Sequence, residues 1–218
     1  MDLTQEIDAY CERLGPGLWA EPLNAVTNLA FVIVAGIMWQ RAGGAGQGRV
    51  MARVLCLLMA AIGIGSGLFH TVAQAWAALA DVLPIALFIL TYLFAVHRDV
   101  LRLRPVWAFG ATAMFLPYAA LAGSVFAQVS WIGGSAGYAP VPLLILIYGI
   151  VLRRRLPAVS RGFLVGAGLL ILSLVFRTTD LPVCGAFPSG THFLWHLLNA
   201  AMLGWMIEVY LRHQRGQT

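Results

Sequence analysis

Residues 50–72, VMARVLCLLMAAIGIGSGLFHTV, form an apolar stretch with one arginine near its start and His70 near its end. A stretch of about 20 apolar residues can cross the ~30 Å hydrocarbon core of a bilayer as an α-helix. Gly63 and Gly67, with Gly65 between them, predict close packing against a neighbouring helix. An ionisable group inside such a stretch is rare and is a functional candidate by default. The stretch therefore predicts a transmembrane helix that carries a functional histidine.

The rest of the chain is also strongly hydrophobic and poor in charged residues. Its 218 residues are 60% hydrophobic and 11% charged, with a mean hydropathy of +0.82, whereas soluble domains carry roughly 25% charged residues. We predict one all-α integral membrane domain over residues 1–218, a seven-transmembrane helix bundle preceded by a polar, extracytoplasmic N-terminal segment at 1–21. The predicted spans are 22–40, 50–72, 77–97, 105–123, 138–153, 161–178 and 190–211.

The positive charges predict the orientation of the bundle. All 14 basic residues are arginines, which excludes a lysine Schiff base and with it a retinal protein of the usual kind. Arg13 and Arg177 fall on one side of the predicted membrane and the other twelve on the opposite side. The positive-inside rule then gives an outside N-terminus and a cytoplasmic C-terminus. Arginines spread over short loops do not indicate nucleic-acid binding. The alanine-, glycine- and arginine-rich composition suggests a bacterial inner membrane protein.

Four ionisable residues reach the same predicted depth. His70 lies near the outer end of the second span, and Asp81 lies near the outer end of the third. His192 and His196 occupy the first two turns of the seventh span, which also begins outside. Because three separate spans bring these groups to the outer half of the bilayer, we expect them to converge on one site facing the periplasmic side.

The residue types predict a zinc site. His192 and His196 are four residues apart and share one helix face. Three imidazoles plus water make the open, four-coordinate arrangement of catalytic zinc, which can lower the pKa of the bound water to about 7. We assign Asp81 as general base and then acid, with the alternative that it orients a histidine. Ser66 is expected to hold the water or donate to the developing oxyanion.

Each residue taken alone also has a purely structural interpretation. A single membrane histidine such as His70 often bonds a neighbouring helix. Asp81 alone could cap a helix N-terminus, and Ser66 alone could bond its own backbone. His97 and His213 lie beside arginines at predicted cytoplasmic ends and are expected to be solvated. The matched depth of the other residues favours the metal site over these interpretations.

The motifs resemble those of the alkaline ceramidases, within the wider CREST group of seven-span hydrolases. The matching motifs are Gly65-Ser66-x-x-x-His70, Asp81-x-Leu83-Pro84 and His192-x-x-x-His196. Further similar elements are Tyr10-Cys11-Glu12, Glu21-x-x-Asn24 and Asp180-x-x-x-Cys184. The resemblance covers essentially the whole chain. The Asp-x-Leu-Pro and paired-cysteine features favour the ceramidase branch over the receptor branch.

The resemblance implies a chemistry and its residues. It implies zinc on His70, His192 and His196, with Ser66 and Asp81 handling the water. The implied reaction is hydrolysis of the amide bond of ceramide, or of a related N-acyl lipid, to a fatty acid and a sphingoid-type amine. The lipid substrate is then the implied partner, and sphingolipid metabolism is the implied context.

The resemblance also implies two features outside the zinc site. One is a disulfide between Cys11 and Cys184, both outside the cytoplasm, where disulfides persist. The other is a regulatory Ca²⁺ near the N-terminus, with Glu12, Glu21 and Asp8 as its candidate ligands. Ala9 stands at the family's aspartate position, one residue from Asp8. The alternative is that this acidic segment caps the first helix.

Two other functions remain open. A non-enzymatic receptor-like or structural protein would use zinc to hold helices together, and such sites are usually closed by four protein ligands. No strong fourth ligand is evident beyond Asp81. A metal transporter would need polar residues along its whole path, and the cytoplasmic half has few. The carboxylate and serine beside the histidines favour the hydrolase.

Overall fold

The computed structural model describes residues 2–43, 46 and 48–216. Within them the chain is built from α-helices with short π and 3₁₀ segments. We label the helices α1 Pro22–Thr27, α2 Leu29–Ala42, α3 Arg49–Val72, α4 Ala75–Ala95, α5 Pro105–Ala113, α6 Phe115–Phe126, α7 Pro140–Leu152, α8 Pro157–Thr179 and α9 His192–Gln214. The all-α prediction is confirmed.

Each predicted span overlaps a helix or a pair of consecutive helices. Among the described residues, five helical stretches are long and apolar enough to cross a membrane: Pro22–Ala42, Arg49–Val72, Ala75–Val100, Pro105–Phe126 and Pro157–Thr179. The shorter α7 is also apolar, whereas α9 carries Glu208 and Arg212 towards its end. These helices identify a membrane protein. The count of seven crossings and the orientation of the termini stay predictions.

The two helices that carry the histidines lie at the centre of the bundle. α3 packs against α1, α2, α4 and α9, and α9 packs against α8 and α2. Gly65 allows the close approach of α3 to α4, because a Cβ at this position would overlap the carbonyl oxygen of Ala80. The glycine spacing therefore marks close helix packing, as predicted.

One predicted feature at the other end of the bundle is wrong. His97 is buried rather than solvated. It lies in a π-helical turn, Val96–Val100, that continues α4. Its Nδ1 is 2.9 Å from Thr112 Oγ1, and its Nε2 is 2.6 Å from the hydroxyl of Tyr148. The neighbouring arginines in the sequence suggested solvent, but two polar partners on adjacent helices stabilise the ring inside. His213 is half-buried.

The N-terminal segment covers the end of the bundle where the histidines lie. Its backbone pairs with the α3–α4 turn, where Ile7 donates to Ala73 at 2.8 Å. A disulfide joins Cys11 to Cys184, which confirms the disulfide implied by the resemblance. The segment is therefore tied covalently to the loop before α9.

Candidate metal centre

Three histidines that are far apart in the sequence come together inside the bundle. His70 lies in the last turn of α3, and His192 and His196 lie in the first two turns of α9. All three are buried, and one ligand atom from each lies within 4.8 Å of the others. Imidazole nitrogens this close can bind a single ion. These residues can therefore hold a metal.

Glu21 orients His70. Its Oε2 lies 2.6 Å from His70 Nδ1, and its Oε1 lies 2.6 Å from Arg13 Nε. Burial would raise the pKa of Glu21, but hydrogen bonds from His70, Asn24 and Arg13 hold that pKa below its usual range. An ionised carboxylate accepts the Nδ1–H of His70 and leaves the Nε2 lone pair for a metal. This is the orienting role that the sequence offered to Asp81 as an alternative.

Thr27 orients the ring of His196 in a similar way. The threonine hydroxyl donates to the carbonyl of Leu23 at 2.7 Å, so its oxygen is free to accept a hydrogen bond. It lies 3.0 Å from His196 Nδ1. The Nδ1 then carries the hydrogen, and the lone pair is on Nε2. A second-shell partner for a ligating imidazole usually fixes the tautomer in this way.

Unpaired nitrogens in the cluster fit a metal-binding set. His196 Nε2 and His192 Nδ1 are buried and have no hydrogen-bond partner among the residues that the structure describes. A buried polar atom without a partner costs about 1–3 kcal/mol, and a bound metal offsets such a cost. Tyr10 stacks on His192 with the ring centroids 3.7 Å apart. Burial raises the pKa of Tyr10 above its ordinary value, so the phenol stays neutral over the imidazole.

Asp180 fixes the start of α9 and so the position of both its histidines. Its Oδ1 accepts hydrogen bonds from the backbone N–H groups of Thr191 at 2.7 Å and His192 at 2.8 Å. Its Oδ2 accepts from the backbone of Cys11 at 2.9 Å. Gly190, at φ +61°, passes close over the carboxylate, where a Cβ would overlap Asp180 Oδ1. One carboxylate thus joins the N-terminal segment to the helix that carries His192 and His196.

Asp81 and Ser66 lie side by side next to the histidines. Asp81 is in the second turn of α4 and not at its N-terminus, so the alternative of a helix cap is wrong. Ser66 lies one turn before His70 in α3, where this helix packs against the Ala80–Asp81 peptide of α4. Both side chains, together with His196, line a cavity. A carboxylate and a hydroxyl therefore face the space beside the histidine cluster.

That cavity is apolar. Its volume is about 90 Å³, and it continues from Ser66, Asp81 and His196 between the helices. Its remaining lining is mostly aliphatic and aromatic, contributed by Tyr138 and by α2, α3, α4, α6, α7, α8 and α9. Apolar pockets with a few convergent polar groups are typical ligand-binding sites. The cavity is suited to a hydrocarbon chain whose polar end lies at the histidines.

The candidate calcium ligands are engaged in other contacts. The two oxygens of Glu12 accept the backbone N–H groups of Leu23 at 2.7 Å and Asn24 at 2.8 Å, and so cap α1. Glu21 binds the arginine and histidine described above, and Asp8 is exposed. Among the described residues, the histidine trio is the one group of three or more such side chains with metal-binding spacing. Glu12 therefore caps the first helix, as the alternative interpretation expected. The Ca²⁺ site stays a prediction.

The comparisons place this centre within a known family. Comparison with curated proteins finds no significant match. The family model described as Ceramidase matches residues 10–217. The matched region contains the three histidines, Asp81 and Ser66, and it spans all nine of the described helices. The match extends over almost the whole sequence, and the chain therefore belongs to the ceramidase family, whose members are metal-dependent hydrolases.

Proposed function

We propose that the protein is an intramembrane, zinc-dependent amidase that hydrolyses ceramide or a related N-acyl lipid to a fatty acid and an amine. The observation that carries the proposal is the cluster of three buried histidines, of which His196 lines an apolar cavity together with Asp81 and Ser66. In this proposal the histidines hold the metal, Asp81 is the general base, Ser66 stabilises the developing charge, and the cavity binds the lipid chain.

The donor set fits zinc. Zn²⁺ favours three neutral imidazoles with one position left open in catalytic sites, and two of these imidazoles have their tautomers fixed by Glu21 and Thr27. Zinc, when bound here, would polarise the amide carbonyl and acidify water. A zinc site that only holds helices together normally has four protein ligands, and the described residues supply a cluster of three.

The remaining chemistry belongs to Asp81 and Ser66. Asp81 accepts a proton from the attacking water and passes it to the leaving amine, so one carboxylate serves as base and then acid. Ser66 donates its hydroxyl hydrogen to the oxygen on which negative charge develops. The apolar lining of the cavity binds the acyl chain and excludes bulk water from the reacting amide.

The expected location follows from the covalent structure and the charge pattern. A disulfide between Cys11 and Cys184 is maintained outside the cytoplasm. Both cysteines lie at the end of the bundle that holds the histidines. The arginine distribution favours the same side as the outer side. We therefore propose that the site opens towards the periplasmic face of a bacterial inner membrane.

The test measures metal and activity in the same preparations. Purified wild type should carry about one zinc per chain, and His70→Ala, His192→Ala and His196→Ala should each lose it. Asp81→Asn should keep zinc but lose hydrolysis of N-acyl lipids by about 10²-fold or more. A well-folded wild type that binds no zinc after reconstitution would contradict the proposal.

A further inference from the structure

Arg177, in the last turn of α8, is a positive charge placed among aromatic rings. Its guanidinium carbon lies 4.9 Å from the ring centroid of Tyr138, 5.7 Å from that of Trp195 and 6.0 Å from that of Tyr10. A guanidinium within about 6 Å of a ring face is attracted by the π-electrons. The three rings therefore fix the side chain, which is half-buried.

Most of its hydrogen-bonding capacity is unused. A guanidinium has five N–H donors, and Arg177 donates one hydrogen bond, from Nη1 to Ser135 Oγ at 3.3 Å. Among the described residues, no carboxylate forms an ion pair with it, unlike Arg13, Arg41, Arg98 and Arg212. A partly desolvated cation without an anionic partner is unfavourable, so a partner from outside the chain would stabilise it.

The arginine lies beside the reaction centre. Its aromatic neighbour Tyr10 stacks on His192 with the ring centroids 3.7 Å apart, and its neighbour Trp195 directly precedes His196 in α9. Two of its three aromatic neighbours, Tyr138 and Trp195, line the same cavity as Asp81. An acyl chain inside the cavity would place its amide at the histidines. A group attached to the amine side of that amide would then lie near the rings that hold the guanidinium.

We propose that Arg177 binds an anionic group, a carboxylate or a phosphate, on the amine side of the N-acyl substrate. The inference rests on the proposed amidase function. Of the two substrate types proposed above, ceramide and related N-acyl lipids, it selects related N-acyl lipids with an acidic head rather than neutral ceramide. A guanidinium binds either anion through two parallel N–H···O bonds. The aromatic rings hold the guanidinium of Arg177 in place, so little side-chain entropy is lost when the anion binds.

The experiment compares three substrates with the same acyl chain: N-acylglycine, N-acylphosphoethanolamine and the neutral N-acylethanolamine. Zinc-loaded protein in a neutral detergent is used, because anionic bilayer lipid could itself occupy the guanidinium. We expect wild type to favour at least one anionic substrate by about tenfold or more in kcat/KM, mainly through KM, since a hydrogen bond to a charged group contributes about that much. Arg177→Gln should lose this preference, and Arg177→Lys should regain part of it. The control is Arg154→Gln, which removes an exposed arginine and should leave the preference unchanged.

A separate binding experiment distinguishes failure of the anion site from failure of the amidase function. Binding of N-acylglycine and N-acylethanolamine to Asp81→Asn protein, with and without Arg177→Gln, is measured by calorimetry. If no substrate is hydrolysed but the anionic lipid binds more tightly in an Arg177-dependent way, the amidase proposal fails and the anion site stands. Equal treatment of neutral and anionic lipids, or an equal loss for both in Arg177→Gln, would overturn the anion site.

Discussion

At the scale of single residues, the histidine cluster depends on the side chains around it. Glu21 and Thr27 hold the rings of His70 and His196, whose Nδ1 atoms they contact. Arg13 in turn holds Glu21, and it also donates to the carbonyl of His70 at 3.3 Å. Because Glu21 is nearly fully buried between these partners, its charge is compensated on both sides.

Glu21→Gln tests this arrangement. The amide cannot accept the Nδ1–H as strongly and loses the ion pair with Arg13, so the ring of His70 is less well oriented. We expect zinc affinity to fall by about 10–100-fold, measured by competition with a chromogenic chelator. Glu6→Gln, an exposed position, is the matched control. Equal affinity in wild type and Glu21→Gln would contradict the orienting role.

Residue spacing predicts the histidine cluster but not the side chains that hold its rings. Two of the histidines are four residues apart on one helix, and the third lies at a matched predicted depth, so the sequence alone indicates that they converge. Glu21 lies 49 residues from His70, and no local pattern joins them. The Glu-x-x-Asn element is the available signal, but the family resemblance assigns its glutamate to a Ca²⁺ site. Here the neighbouring cation is Arg13.

At the scale of helices, the distance between α3 and α4 sets the geometry of Asp81 and Ser66. Gly65 precedes Ser66, and its backbone packs against the Ala80–Asp81 peptide. The helix that carries the serine can approach the helix that carries the aspartate only because no side chain intervenes. Close helix packing and the proximity of Ser66 to Asp81 are therefore two results of one contact.

Gly65→Ala should separate the two helices. The new Cβ would overlap a backbone carbonyl, which cannot rotate away, and such overpacking costs about 1–3 kcal/mol. We expect a lower Tm in detergent and a loss of hydrolytic activity larger than the loss of bound zinc. Gly168→Ala in α8 is the control, because nothing lies within 4 Å of its added Cβ. A normal Tm and activity for Gly65→Ala would contradict the packing argument.

The apolar runs of the sequence predict where the helices lie, but they do not predict where a helix is broken. The first span is interrupted at Asn28 and the fourth at Met114, and neither residue is a strong helix breaker. The π-helical turn after α4 was also unforeseen. It accompanies the burial of His97 against Thr112 and Tyr148, contacts that depend on neighbouring helices. Tertiary packing decides such details, and a single sequence does not reveal them.

At the scale of the whole molecule, the N-terminal segment and the bundle form one unit through the disulfide and Asp180. The disulfide joins positions 173 residues apart, so it restricts the unfolded chain strongly, and removing it should cost about 2–5 kcal/mol. The Cys11→Ala/Cys184→Ala double variant should therefore unfold at a lower temperature and bind zinc less tightly. Reductant should lower the Tm of wild type but not that of the double variant. A reductant effect of equal size in both would contradict the role of this bond.

Orientation in the membrane is the remaining property of the whole molecule, and it decides which side the substrate comes from. Trp131 and Arg154 are exposed and lie in connections on opposite predicted sides. A membrane-impermeant maleimide should label Trp131→Cys in intact cells and Arg154→Cys only after permeabilisation. Unmodified protein is the control, since its free Cys56 is buried. The reverse pattern would place the histidines and the disulfide on the cytoplasmic side. It would contradict both the arginine distribution and the proposed periplasmic site.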